Sequence, residues 1–181
     1  MVKGAETAAD SLGRPAGKSP AQTQYIYEMA APGALSGQNP SCQIMARRHT
    51  SGKSSAEGGA LFGEKIIVAL IHKKRGSGSK RHTHPNEQFN FVLQGTLHCD
   101  IDDQTLLCPA GHCLHIPAGV EHSCVATGDE DVVYMVAKDT RHGIAGPPVD
   151  GIEDGPRFLP GFGPDGQDGQ DGQDGQDGTK E

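Results

Sequence analysis

Two short stretches in the middle of the chain place three histidines at spacings that suit a single metal ion. The first stretch fixes Gly76, His82, His84, Gln88 and Gly95, and the second fixes Gly111, Pro117, Gly119 and His122. Residues two apart on an extended backbone project to the same face of a sheet, so the imidazoles of His82 and His84 can reach one cation. Gln88 and His122 then come from neighbouring strands and add a carboxamide oxygen and a third imidazole. The pattern predicts a strand-rich fold around a metal site with open coordination positions.

This pair of stretches resembles the two motifs of the cupin superfamily, which it matches at nearly every fixed position. Gln88 stands where the family usually has a glutamate, and Ala126 stands where it often has an asparagine. The resemblance covers about residues 60 to 140 and implies an all-β fold, a double-stranded β-helix (jelly-roll) barrel in a small single-domain cupin. It leaves the function open, because cupins include dioxygenases, isomerases, lyases, decarboxylases, storage proteins and sensor domains.

The hydrophobic pattern of the central region predicts strands independently of the motifs. Apolar runs with β-branched residues recur about every ten residues, with turn signals between them. The predicted strands are Ile66–His72, Phe89–Leu93, Leu97–Ile101, Leu106–Leu107, Cys113–Ile116, Ser123–Val125 and Val132–Val136. This series is typical of an all-β sandwich or barrel, and no segment of residues 60–140 predicts a helix.

Composition divides the chain into one domain and two polar ends. The 181 residues allow one domain, and the hydrophobic fraction is only 34% because Gly-rich polar segments dilute the core. We predict a flexible leader over residues 1–22, an N-terminal arm over 23–60, the barrel over 61–140, a closing segment over 141–162 and a disordered tail over 163–181. No run is apolar enough for a membrane span or a secretion signal, so we expect a soluble, cytoplasmic protein.

The tail repeats a short acidic unit. Gly163-Pro164-Asp165 is followed by four Gly-Gln-Asp triplets. Glycine at every third position is the collagen pattern, but so few triplets with a single proline cannot hold a triple helix. The aspartates supply much of the net charge of −7, so the folded domain is less acidic than the total suggests. We expect disorder, with a weak calcium-binding or solubility role as the alternative.

The cysteines are odd in number and contain no C-x-x-C pair. They are Cys42, Cys99, Cys108, Cys113 and Cys124. A disulfide framework is therefore disfavoured, and small reduced core residues are the expectation. The functional alternative places Cys99, Cys113 or Cys124 near the metal, as a redox or substrate-contact residue.

The fourth ligand is either Gln88 or Glu87. The family spacing and the strand parity favour Gln88, although Pro85 and Asn86 leave the parity open and keep Glu87 as an alternative. A carboxamide in place of a carboxylate removes one negative charge, so the ion keeps its full charge. Such a centre binds an anionic oxygen or an enolate more strongly.

The resemblance implies two catalytic branches that suit this charge. One contains three-histidine Fe(II) dioxygenases that act on diketone-like or hydroxyketone substrates. The other contains small cupins with a glutamine ligand that open or isomerise sugar acids without redox change, for which Mn, Ni or Zn would serve. We favour an Fe(II)-dependent dioxygenase acting on a small anionic or enolisable substrate, and a non-catalytic binding cupin is the third possibility.

Two further residues are candidates for catalysis. Tyr134 would place a phenol near the cavity as an acid or a partner for a substrate hydroxyl, with core packing as the alternative. His115 precedes Pro117 and would shuttle protons, with a supporting or outer-face position as the alternative.

The strand that carries Gln88 also predicts an apolar outer face. If Gln88 points inward, then Phe89, Phe91 and Leu93 point outward and need cover. A second sheet layer, the arm around residues 25–29 or a second copy of the chain provides it, and we expect a homodimer.

A basic cluster precedes the first histidine. It contains Lys73, Lys74, Arg75, Lys80 and Arg81, around a Gly-Ser loop that lacks the frame of a phosphate-binding loop. Nucleic-acid binding is disfavoured, because the chain is acidic and no aromatic residues interleave with the basic ones. The cluster either steers an anionic small molecule to the site or forms an exposed hydrophilic turn.

Overall fold

The computed structural model describes residue 29, residues 42–45 and residues 53–163. Within these residues the chain forms eleven β-strands and no helix. The strands are β1 (Cys42–Met45), β2 (Glu57–Phe62), β3 (Ile66–Lys73), β4 (Ser77–Gly78), β5 (Gln88–Gln94), β6 (Thr96–Ile101), β7 (Gln104–Pro109), β8 (Cys113–Ile116), β9 (His122–Ala126), β10 (Val132–Asp139) and β11 (Arg157–Phe158). The predicted leader, most of the arm and the tail from residue 164 lie outside the described residues.

The strands form two antiparallel sheets that pack face to face. One sheet has the order β1-β2-β3-β10-β5-β8, and the other has the order β11-β4-β9-β6-β7. Side chains from both sheets, such as Ile71 and Val92 from the first and Leu97 and Cys99 from the second, share one core. This is the all-β jelly-roll arrangement that the sequence predicts. Within the part of the chain described, no helix is long and apolar enough to cross a membrane.

Alternation along β3 decides what faces the core. Ile67, Ala69, Ile71 and Lys73 are buried, and the residues between them are more exposed. The sequence prediction ended this strand at His72, but the structure carries the alternation one residue further. Each fully buried isoleucine contributes about 2 kcal/mol. Lys73 follows the same parity and therefore enters the interior.

The outer face of the six-stranded sheet is apolar and exposed. Phe89, Phe91 and Leu93 are 41%, 39% and 51% exposed, as the parity argument predicts. Met135 of β10 pairs with Phe91 and is 41% exposed. The described residue Met29 lines a groove on the same face. Side chains of this size left in water indicate a surface that is covered by something else.

The described cysteines with side chains are free thiols. Cys99, Cys108 and Cys124 are buried, and Cys113 is exposed. The expectation of reduced core residues is confirmed for the three buried thiols. The side chain of Cys42 lies outside the described part of the structure.

Candidate metal centre

Backbone pairing brings the three histidines together from separate parts of the chain. His82 and His122 form an antiparallel bridge in which each amide N–H donates to the other's carbonyl at 2.9 Å. His84 accepts at its carbonyl a hydrogen bond of 2.9 Å from the amide of Gly119. The centres of the imidazole rings lie 4.3 Å apart for His82 and His122, 4.8 Å for His84 and His122, and 5.7 Å for His82 and His84. The predicted chelating pair therefore meets the third histidine.

Gly119 fixes the loop that leads into the third histidine. Its φ is 79°, a left-handed conformation that a residue with a Cβ adopts only with strain. The hydroxyl of Thr83 donates to the Gly119 carbonyl at 2.9 Å, and the Gly119 amide donates to His84. This pair of bonds ties the second motif to the first and sets the distance between their histidines.

The three imidazoles present the same nitrogen to the site. Nδ1 of His82 donates to the Lys80 carbonyl at 2.7 Å. Nδ1 of His84 donates to the Asn86 carbonyl at 2.8 Å, and that of His122 to the Val120 carbonyl at 2.9 Å. A carbonyl is only an acceptor, so Nδ1 carries the proton and the Nε2 lone pair is free in each ring. This is the tautomer that binds a metal through Nε2.

The free nitrogens are buried and converge. Nε2 of His84 and Nε2 of His122 have no hydrogen-bond partner among the described residues. One nitrogen from each of the three histidines can be chosen so that all lie within 4.8 Å of one another. A buried acceptor without a partner costs about 1–3 kcal/mol, which a bound cation would recover. The residues therefore fit a divalent metal.

Burial also keeps the imidazoles neutral. It lowers the pKa of His82 to about 3, with a further contribution from His122. Burial lowers the pKa of His122 to about 4 and also lowers that of His84, helped by the nearby Lys138. All three rings are consequently unprotonated at neutral pH, as metal binding requires.

Gln88, not Glu87, lines the cavity beside the histidines. The Gln88 Nε2 donates to Asn90 Oδ1 at 2.8 Å, so its carbonyl oxygen is the atom left to act as a ligand. Glu87 points the other way and pairs with His115 at 2.8 Å on the exposed side of the sheet. The structure thus places the neutral carboxamide at the site.

The cavity has a volume of about 60 Å³ and an unusual charge balance. Besides His82 and His122, its polar lining includes Lys73, Ser79, Gln88, Asn90 and Tyr134. No aspartate or glutamate among the described residues lines it. A cation at the histidines would therefore keep its charge, and the cavity would attract anions.

Comparison with known families agrees with this geometry. Residues 70–138, which span most of both sheets and all three histidines, match the cupin domain family. The chain contains a cupin domain. Among curated protein sequences, none matches it.

Several solved structures resemble this cupin. A cupin protein from Bacteroides fragilis is 23% identical over 48% of this chain and 75% of its own, with a TM-score of 0.42. An RmlC-like cupin from Shewanella frigidimarina is 19% identical over 54% of this chain and 82% of its own, with a TM-score of 0.43. The plu4264 protein from Photorhabdus luminescens is 20% identical over 50% of this chain and 79% of its own, with a TM-score of 0.45. At these identities the likeness concerns the fold alone.

The two predicted catalytic residues fall in different places in this cupin. Tyr134 is buried at 5% exposure and lines the cavity, and burial raises the pKa of its phenol well above the usual value. His115 lies on the exposed side of β8, where its ring stacks on Phe89 with the centres 4.8 Å apart. The structure does not bring His115 to the cavity, because Leu114 and Ile116 take the inward positions of that strand.

The predicted basic cluster is divided between two environments. Lys80 pairs with Asp150 and Asp154 at 2.9 Å and 2.7 Å, and Arg81 pairs with Glu121. Lys73 is 2% exposed and lines the cavity, whereas its neighbour Lys74 is exposed. Sequence reasoning treated these residues as one surface cluster. The alternation Ile67, Ala69, Ile71 in β3 was the signal that separates Lys73 from the rest.

The segment after β10 closes one side of the site. Ile144 and Ala145 line the cavity, and the buried Lys138 donates from Nζ to the Ile144 carbonyl at 2.7 Å. The amide of Val149 donates to the Arg81 carbonyl at 3.0 Å, which attaches the segment next to His82. The sequence predicted a closing segment here without a chemical role. Its contacts hold this segment against the cavity beside His82.

Proposed function

We propose that this cupin is a metal-dependent enzyme that acts on a small anionic or enolisable oxygenated substrate, and that its reaction is Fe(II)-dependent dioxygenation. The observation that carries the proposal is the convergence of three neutral imidazoles beside a cavity, with buried and unpartnered Nε2 atoms on His84 and His122. A purely structural site is closed and leaves no coordination position open to a substrate. Here the cavity leaves room for substrate on the ligand side.

The ligand set supports an electron-poor centre. His82, His84 and His122 would hold the metal through Nε2, and the Gln88 carbonyl oxygen would complete the set. All four donors are neutral, so an anionic substrate would be held more strongly than at a carboxylate-bearing site. When bound, iron(II) supplies the one-electron chemistry that lets dioxygen react with an organic substrate.

Tyr134 suits the role of a hydrogen-bond donor in this reaction. Its raised pKa keeps the phenol protonated at any physiological pH, because burial disfavours the phenolate. The ring belongs to the core and lines the cavity. We assign it a hydrogen bond to a substrate oxygen.

Oxygen uptake tests the reaction type. Iron(II)-loaded protein is mixed with small 1,3-diketones and hydroxyketones in an oxygen-electrode cell, and zinc(II)-loaded protein is the matched control. The proposal predicts one O2 consumed for each substrate cleaved, with no uptake by the zinc form. Turnover without O2 would instead establish a non-redox isomerase or lyase, and binding of organic acids without turnover would establish a binding cupin.

We further propose that two copies of this cupin associate through the outer face of the six-stranded sheet. The exposed Phe89, Phe91, Leu93 and Met135 form a continuous apolar surface along two paired strands. Phe91→Lys is expected to convert a dimer to a monomer in analytical ultracentrifugation, because a charge would be buried at its centre. Leu107→Lys is the control, since Leu107 is 66% exposed on the other sheet. A wild-type monomer, or a dimeric Phe91→Lys variant, would contradict the proposal.

We also propose a cytoplasmic location. Support comes from the free thiols of Cys99, Cys108, Cys113 and Cys124, which are typical of a reducing compartment.

A further inference from the structure

Lys73 is a buried cation in the wall of the candidate site. It is the last residue of β3 and points inward, with 2% of its surface exposed. Its Nζ donates to the Cys124 carbonyl at 2.7 Å and lies 5.6 Å from the centre of the Tyr134 ring. The carbonyl engages one of the three ammonium N–H groups. Lys73 is also one of the residues that line the cavity.

No carboxylate of the described residues pairs with this lysine. The surface cations Lys53, Lys80 and Arg141 all have acidic partners within 3 Å. A buried ammonium without such a partner is costly, and burial accordingly lowers the pKa of Lys73. The cavity lining contains no carboxylate, and the acidic groups that act on Lys73 are the thiols of Cys124 and Cys99, so an anionic ligand would supply a full compensating charge.

The second buried lysine serves a different purpose. Lys138 donates to the Ile144 carbonyl and does not line the cavity. Lys73 is therefore the one cationic side chain that lines the cavity within the described part of the chain. His82 and His122 line the same cavity, so a single small ligand can contact both the lysine and the histidines.

We infer that Lys73 binds the carboxylate of the substrate, and that the substrate is a small carboxylic acid with a second oxygen function facing the histidines. The inference rests on the proposed function for its choice of cavity. The cavity, of about 60 Å³, holds more than one water and suits a small ligand. A carboxylate at Lys73 would make a charge-assisted hydrogen bond and leave its other end at the metal ligands.

A purely structural role is the competing explanation. Lys73 belongs to the six-stranded sheet and Cys124 to the five-stranded sheet, so their hydrogen bond also connects the sheets. Loss of that connection would lower stability, but it would not change the preference for an acid over its amide. Ligand selectivity therefore separates the two explanations.

Calorimetric titration of the full chain provides the test. Glycolate, pyruvate and malonate are titrated into the zinc(II)-loaded and the metal-free protein, and glycolamide serves as the uncharged match to glycolate. The wild type is expected to bind at least one of the acids, and the preference for glycolate over glycolamide should be about 10- to 100-fold. In the metal-free protein Lys73→Met should remove that preference, and Lys74→Met, at an exposed neighbour, should keep it.

A second measurement covers the case in which Lys73→Met does not fold. The ¹³Cε signal of Lys73 in wild-type protein should shift on saturation with the acid that binds, while that of Lys74 stays in place. The inference is overturned if none of the three acids binds, if acid and amide bind equally, or if the Lys73 signal does not move. Zinc does not support dioxygenation, so these outcomes are independent of the oxygen-uptake result.

Discussion

Replacing His122 with alanine is expected to lower the affinity of this cupin for a divalent metal by more than about 100-fold. Loss of a group that merely supports a metal ligand costs about 10- to 100-fold, and removal of a ligand should cost more. His122 contributes a buried Nε2 whose orientation is fixed by the Val120 carbonyl, so no nearby side chain replaces it. Competition with a chromophoric chelator, using zinc(II) or cobalt(II), measures the affinity.

The matched control for this variant is His112→Ala. His112 is an exposed histidine whose Nδ1 also bonds a carbonyl two residues earlier, that of Ala110 at 3.3 Å. Its removal should leave the metal affinity unchanged. Retained affinity in His122→Ala, or an equal loss in His112→Ala, would place the metal elsewhere on the protein.

The metal-free protein should lose stability as the pH falls from about 6.5 toward 4. Burial depresses the pKa of His82 to about 3 and that of His122 to about 4, from an ordinary value of 6.5. Between those values the unfolded chain binds protons that the folded chain does not, so the free energy of unfolding rises with pH. The stability is fully present above pH 6.5 and decreases by at most about 1.4 kcal/mol per pH unit for each histidine below it.

Urea denaturation of the metal-free protein at a series of pH values measures this slope. The His122→Asn variant should show a smaller slope between pH 6.5 and 4, because one depressed group is gone. A control at the exposed His112 should reproduce the wild-type slope. A free energy of unfolding that does not change across this range would contradict the burial of neutral imidazoles.

The strands of the barrel were predictable because the alternation of apolar and polar residues can be recognised within each strand's own sequence. The predicted strand Cys113–Ile116 is identical to β8, and Ile66–His72 ends one residue before β3 does. The sequence did not predict β2, which contains Gly58 and Gly59. Glycine has a low strand propensity, and this strand depends on its pairing with β3.

The histidines of the site were also predictable, because the two-residue spacing of His82 and His84 suits a chelate on extended backbone. The rest of the cavity was not. Lys73 is a polar residue just past the predicted end of its strand, and its burial follows only if the alternation of β3 is continued by one residue. Ile144 reaches the cavity because its carbonyl accepts a hydrogen bond from Lys138. No periodic pattern in the sequence predicts that contact. Contacts between residues that are distant in the sequence cannot be predicted from the local pattern of apolar and polar residues.

The metal content of protein purified without oxygen tests the central claim most directly. Plasma mass spectrometry of the wild type and of the double variant His82→Ala/His122→Ala gives the number of metal equivalents per chain. The account predicts about one equivalent of iron in the wild type and none in the variant, since two of the three converging imidazoles are then absent. No metal in the wild type, or the same amount in both proteins, would contradict it.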